Sequence, residues 1–204
     1  MTGPARREEG GKSRRGTQER ALRRREALLD AAVDLLGEGG FTAVTHRAVA
    51  ERAGIPLAAT SYYFSSRDEL VADAFALLVE RDLLRMRASA AEAGAGSLVE
   101  SARTILRTYA PDRGRQLGLW ELYLQAGREP ALQHIARTWT DGWHDIVRTL
   151  LDRAGHPCGD DEVRFVATLV SGLWLELLVE DRPGSPERAG ETVARALRAI
   201  TECR

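Results

Sequence analysis

The chain has 204 residues, 44% apolar and 29% charged, which suits one or two folded domains and excludes a wholly disordered or fibrous protein. Its net charge of -1 hides a gradient: residues 1–67 carry 12 basic and 8 acidic groups, and the remainder 17 and 22. The longest charge-free run in an apolar segment, Phe165 to Leu175, has 11 residues, against roughly 20 for a membrane span, so no membrane partner is expected.

Residues 1–17 lack apolar periodicity and read as a mobile basic tail, in which Arg6, Arg7, Arg14 and Arg15 offer nonspecific attraction to DNA or entry into a minor groove. From Gln18 a helix begins, with Leu22, Leu29, Val33 and Leu36 near 3.6 spacing, and Gly37-Glu38-Gly39-Gly40 ends it. Thr45 suits the N-cap of a second helix to about Arg52. Ala53-Gly54 makes a turn, and Pro56 opens a third helix to about 63. Ser66-Arg67-Asp68-Glu69 is a capping box that starts a long fourth helix to about Ala91. Ala93-Gly94-Ala95-Gly96 breaks the chain, and Ser97 to Glu100 is a second capping box, opening a helix to about Ala110. After Pro111 a sixth helix covers 113–126, stopped by Gly127. Pro130 opens a seventh with the stripe Leu132, Ile135, Trp139, Trp143, Ile146 and Leu150. Asp160-Asp161-Glu162 places acid at the positive end of an eighth helix, and Ser185-Pro186-Glu187 starts a ninth. No strand pattern appears, so the expected fold class is all-α with about nine helices.

The segment from Thr45 to Leu70 has the form of a helix-turn-helix. Val49, Ala50, Ala53, Ile55 and Phe64 supply a small core shared with the first helix. Ala58 and Ala59 let the third helix approach a groove closely. Thr60, Ser61, Tyr62 and Tyr63 bring hydroxyls for phosphates, base edges or thymine methyls. At Ser66 and Arg67 a helix start and a guanidinium favour a phosphate. Tyr63 and Phe64 equally suit a core, and Arg47 a solvated helix face.

Residues 20–70 resemble the N-terminal domain of the TetR family of bacterial transcriptional repressors. The resemblance rests on the amphipathic first helix, Gly39-Gly40-Phe41-Thr42, Val49 to Ile55, Tyr63-Phe64 and Arg67-Asp68-Glu69-Leu70. It implies a three-helix DNA-binding domain, residues 18–65, on a larger helical body, residues 66–204, that binds a ligand and dimerises. It also implies a third helix in the major groove, with contacts falling on Leu57, Ala58, Ala59, Ser61 and Tyr62. Thr45, His46 and Arg47 match the start of the second helix, where the family touches the DNA backbone and sometimes bases. Tyr63 and Arg67 match phosphate contacts. The sequence departs from the pattern at Ser61, where many members have a tyrosine, and at Thr60, where an apolar residue is common.

In the body, 172-GLWLELLVE-180 is similar to C-terminal domains of one branch of the family, whose last two long helices pair with their symmetry mates. Helix eight carries more apolar residues than one inner face needs. Val166, Val170, Leu173, Trp174 and Leu177, with Val193 and Leu197 of helix nine, are the expected dimer contacts. Helix six, 116-QLGLWELYLQ-125, is apolar nearly all round and is expected to be buried. Trp120, Tyr123, Trp139 and Trp143 are either ordinary core or the lining of a ligand cavity. Glu121, the only charge in that run, needs an arginine or a ligand donor, or lies at the surface.

The resemblance thus implies a homodimeric repressor on a near-palindromic operator, released when a small molecule moves the fourth helix. Two further readings on the same scaffold are a helical interaction protein and a thiol-based redox sensor using Cys158 or Cys203. An enzyme is not expected, since the chain has no GxxxxGK[ST], GxSxG or HExxH. The scattered His46, His134, His144 and His156 do not form a metal site, and no cofactor is expected. The polar N-terminus, without the apolar core of a signal peptide, gives the expectation of a cytoplasmic protein.

Overall fold

Helices are the only regular elements among the described residues, 9–92, 98–107, 112–180 and 182–202 of the computed structural model. The first, α1 (Glu9–Ala43), buries Leu28, Leu29, Ala32, Val33 and Leu36 at helical spacing and bends at Gly40, whose φ of 67° favours glycine. Thr45 then caps α2 (His46–Ala53), its hydroxyl accepting the Ala48 N–H at 3.1 Å. Gly54, left-handed at φ 65°, closes α2 by donating to Ala50 and Glu51 carbonyls. Pro56 precedes α3 (Leu57–Tyr63). Ser66 Oγ accepts the Glu69 N–H at the start of α4 (Arg67–Glu92), while the Glu69 carboxylate takes the Ser65 N–H and hydroxyl at 2.7 and 2.6 Å. These bonds hold the Glu69 carboxyl below the ordinary carboxylate range, the Ser65 hydroxyl contributing most.

The body follows as α5 (Leu98–Arg107), α6 (Arg113–Ala126), a 3-10 turn (Pro130–Leu132), α7 (Gln133–Arg153), α8 (Asp160–Glu180) and α9 (Ser185–Glu202). Asp112 caps α6 by accepting the Arg115 N–H at 3.2 Å. The α7 stripe is buried as expected, and Trp139 and Trp143 keep 6% and 2% of their surface. Four expectations need correction. The first helix begins at Glu9, not Gln18, so only part of the expected tail remains outside it; Arg6 and Arg7 lie outside the described residues. Leu22 is 55% exposed and leaves the α1 stripe. The sixth helix is not buried all round: Leu117 and Leu124 face outward at 42% and 58% exposure. Its inner face, with Gly118, Leu119, Leu122 and Ala126, is what packs. Lastly, α8 turns Val166, Val170 and Trp174 into its own protomer, as discussed below. The break at Ala93-Gly94-Ala95-Gly96, Ser97, Pro111 and Cys203 lie outside the described residues.

The packing fixes where the front helices sit. α1 lies against α2, α4 and α6; α4 crosses α7; α5 lies along α9; and α8 sits between α7 and α9. Phe64, Val49 and Val44 are fully buried beneath α1, alongside Leu28 and Leu70. Burial of each such side chain contributes about 1.5–3 kcal/mol toward holding the three front helices together. Arg52 clamps α2 to α1 through Glu38 at 2.9 and 2.6 Å. Arg25 pairs with Asp73 of α4 and lies 5.3 Å over the Phe64 ring.

Candidate nucleic-acid interface and ligand cavity

On α3 the side chains divide cleanly. Thr60 is buried, and its hydroxyl has no partner, while Leu57, Ala58, Ser61 and Tyr62 point outward. Leu57 is 49% exposed and Tyr62 82%, an unusual burden of free apolar surface for a seven-residue helix. Small Ala58 and Ser61 between two larger groups leave a face that a groove could receive. Ala59 is half-buried, and Tyr63 packs partly against the core with its ring edge-on to Tyr62 at 5.2 Å. At the start of α2, Thr45 and Arg47 are exposed on the surface. His46 is half-buried beside them, with Nδ1 buried and unbonded. The Thr45 hydroxyl oxygen already accepts as a cap, which leaves its O–H, its second lone pair and its methyl for a partner.

Arg67 departs from the sequence expectation. Its Nε donates to the Val44 carbonyl oxygen at 2.8 Å, Nη2 donates to the Phe41 carbonyl, and the guanidinium lies 4.3 Å over the Phe41 ring. The side chain is therefore turned inward to bind the α1–α2 link, rather than outward to a phosphate. The carbonyls at the end of a helix lack helical partners, and here a five-donor group at the start of α4 supplies the Phe41 and Val44 oxygens.

In the body, α6, α7 and α8 enclose a cavity of about 250 Å³. Trp120, Tyr123, Trp139 and Trp143 all line it, joined by His144, Thr168, Ser171 and Trp174. The rings are close: Trp143 to Trp174 at 4.5 Å and Trp120 to Tyr123 at 5.9 Å. Trp143 Nε1 donates to the Ala167 carbonyl and Trp174 Nε1 to the Leu106 carbonyl, both at 3.2 Å. Trp120 Nε1 is buried without an acceptor. Tyr123 shares a hydrogen bond with Thr140, and burial pushes its phenol above the ordinary value, the Thr140 bond opposing. Glu121 is not part of this lining. It points the other way, accepting the Phe41 N–H at 3.3 Å and lying beside Gly40. The charge read as needing an arginine or a ligand donor, or as lying at the surface, is thus half-buried and caps the bend of α1.

A second, larger cavity of about 740 Å³ lies between α5, α6, α8 and α9. Trp174 borders both. The sequence reading missed it because its lining comes from residues far apart in the chain.

Five of the seven expected dimer contacts turn inward. Val166, Val170, Trp174, Val193 and Leu197 keep 0–4% of their surface within one protomer, and Leu173 and Leu177 are half-buried. The outer side of α8 is a different stripe: Phe165 at 52%, Thr168, Gly172, Leu175 at 39% and Val179 at 67% exposure. Gly172 has nothing near its missing Cβ, which leaves a flat spot in the centre of this stripe. The helix is apolar on two faces, and periodicity alone does not say which one is inside. Among the described residues no helix is long and apolar enough to cross a membrane. Cys158 is half-buried with Sγ donating to the His156 carbonyl at 3.2 Å.

Comparison with known proteins identifies this architecture. Residues 28–74 match the description "bacterial regulatory proteins, tetR family", and residues 93–202 match "tetracyclin repressor-like, C-terminal domain". The HTH-type transcriptional regulator BetI of Burkholderia mallei is 29% identical over 172 residues, 78% of this chain and 84% of the relative. Its counterpart in Burkholderia thailandensis is 30% identical, covering 74% and 80%. Among solved structures, the multidrug binding protein EbrR complexed with imidazole is 31% identical with a TM-score of 0.67, covering 85% of this chain and 94% of that one. A TetR-family member from Streptomyces coelicolor is 31% identical with a TM-score of 0.66, covering 85% and 97%. With both matched segments present in chain order, and an outward-facing α3 on a helical body, the chain belongs to the TetR family of DNA-binding transcriptional regulators.

Proposed function

We propose that this protein is a cytoplasmic, homodimeric repressor that leaves a near-palindromic operator when a small molecule occupies the aromatic cavity. The observation that carries the reading is the outward face of α3, seated on buried Val49 and Phe64 and presenting Tyr62 at 82% exposure. In this reading residues 18–65 form the DNA-binding unit and residues 66–204 the sensor. Leu57, Ala58, Ala59, Ser61 and Tyr62 enter the major groove; Thr45, His46, Arg47 and Tyr63 meet the backbone. Arg67 supports them from behind. The dimer forms on the outer stripe of α8, through Phe165, Gly172, Leu175 and Val179, so that two α3 helices lie about 34–36 Å apart or a multiple of it.

Coupling runs through α6 as well as α4. One face of α6 lines the cavity with Trp120 and Tyr123, and another presses on α1 through Gly114 and Glu121. An occupant that displaces Trp120 therefore shifts the support of α1. For a hundredfold loss of operator affinity the ligand must prefer the released state by about 2.7 kcal/mol.

The chemistry of the cavity favours a planar aromatic compound, since four tryptophans and a tyrosine border it. In keeping with this, EbrR has been solved in complex with proflavin and with ethidium. Titrating the protein alone with proflavin tests the assignment. Saturable binding that weakens about tenfold or more in Trp120→Leu is expected, as one stacking wall is removed. Equal affinity in the variant would contradict it.

A further inference from the structure

The cavity between α5, α6, α8 and α9 has a lining unlike the rest of the chain. Over the whole sequence 29 basic residues balance 30 acidic ones. Around this cavity Arg103, Arg107, Arg113, Arg182, Arg195 and Arg198 face only Glu187 and Glu191. Three of the arginines are engaged locally: Arg113 donates to the Leu178 carbonyl at 2.7 Å, Arg182 pairs with Glu180 at 2.8 Å, and Arg198 also has a partner. By contrast, no described hydrogen bond or ion pair engages Arg103, Arg107 or Arg195, all of which are exposed. Arg103 and Arg107 are four apart on α5, a like-charge pairing that costs helix stability.

The cavity is also two-layered. Its floor is apolar and buried, with Leu106, Trp174, Leu178 and Ala194 between 3% and 8% exposed. Its rim is the arginine set. A volume of about 740 Å³ falls within the ~300–1,000 Å³ of small-molecule sites. Guanidinium groups over an apolar floor match a molecule with an anionic head and a hydrocarbon body. We propose that this cavity is a second binding site, separate from the aromatic one, for an amphipathic anion whose carboxylate or phosphate is held by Arg103, Arg107 and Arg195. The inference does not depend on what fills the aromatic cavity. Arg113 and Gln116 place the head of α6 in the lining, so an occupant here would touch the same helix that supports α1.

Calorimetric titration of the full chain with decanoate, decyl phosphate and decanol tests the proposal. Saturable binding of at least one of the two anions, one per protomer, is expected, with decanol about tenfold weaker or worse. Which anion binds tighter names the head group. In the double variant Arg107→Gln/Arg195→Gln the anion affinity is expected to fall about tenfold or more while decanol is unaffected. Both positions are exposed, so an unchanged thermal midpoint is expected and separates loss of the site from loss of the fold. Three results would overturn the assignment: decanol binding as tightly as the anions, unaltered anion affinity in the variant, or no binding of either anion.

Discussion

Two residues of the reading domain behave differently from what their neighbours in sequence suggest. Arg67 has its guanidinium on the Val44 and Phe41 carbonyls and over the Phe41 ring. Removing it leaves those carbonyls short of donors, and hydrogen bonds to a charged group contribute about 1.5–3 kcal/mol each. Arg67→Ala is therefore expected to lower stability by about 2 kcal/mol, read as a fall in the thermal midpoint of about 4–8 °C. The slope of log affinity for duplex DNA against log salt should stay as in the parent. A slope reduced by about one unit with normal stability would instead make Arg67 a phosphate contact. Thr60 lies on the same helix as Tyr62, yet one is fully buried and the other 82% exposed. A hydroxyl in sequence says nothing about which side of a short helix it occupies until the core residues around it are known.

At the scale of elements, α6 is where front and body meet. Gly37 of α1 crosses Gly114 so closely that a Cβ on Gly37 would meet the Gly114 carbonyl carbon and oxygen at 3.0 Å. On an open helix, alanine for glycine gains about 1 kcal/mol. Here the obstacle is backbone, and overpacking costs typically about 1–3 kcal/mol, so packing wins. Gly37→Ala is expected to lower stability in urea, despite its better propensity; a rise would show that the two helices part freely. Nearby, Asp82 of α4 is fully buried, paired with Arg85 at 2.6 Å and with Arg115 of α6 at 3.8 Å, and one carboxylate oxygen has no partner. Burial pushes its pKa up to about 6, against the opposing pull of Arg85 and Arg115. Folded Asp82 thus holds its proton more firmly than unfolded Asp82. Its contribution to stability is complete below the unfolded value near 3.8 and is lost as pH rises through about 6. Asp82→Asn should become more favourable relative to the parent by about 1 kcal/mol between pH 5 and pH 7.5. A constant difference across that range would rule out a raised pKa. Local signals at this scale were legible. Thr45, Gly54, Ser66 and the span of α6 follow from caps and breakers whose partners are within a few residues. The partners of Glu121 and Arg67 lie 80 and 23 or more residues away and leave no local trace.

For the whole molecule, the sequence carried the class of fold and the presence of an aromatic cluster, but not its orientation. The four aromatic residues read as either core or the lining of a ligand cavity do share one cavity, because their 3–4-residue spacing within α6 and α7 keeps each set on one face. The outer stripe of α8 was missed because Phe165, Gly172 and Val179 alternate with an equally apolar inner stripe. The arginine-lined cavity draws on four helices, and only the four-residue spacing of Arg103 and Arg107 hints at it. The central claim is that two copies, joined along α8, present two α3 helices to one duplex. Selection of bound duplexes from a random pool, at physiological salt, measures this directly. The account predicts enrichment of an inverted repeat with half-sites about one helical turn apart or a multiple of it, and loss of that enrichment in Tyr62→Ala. A single asymmetric site, or recovery of nothing beyond salt-sensitive background, would contradict it.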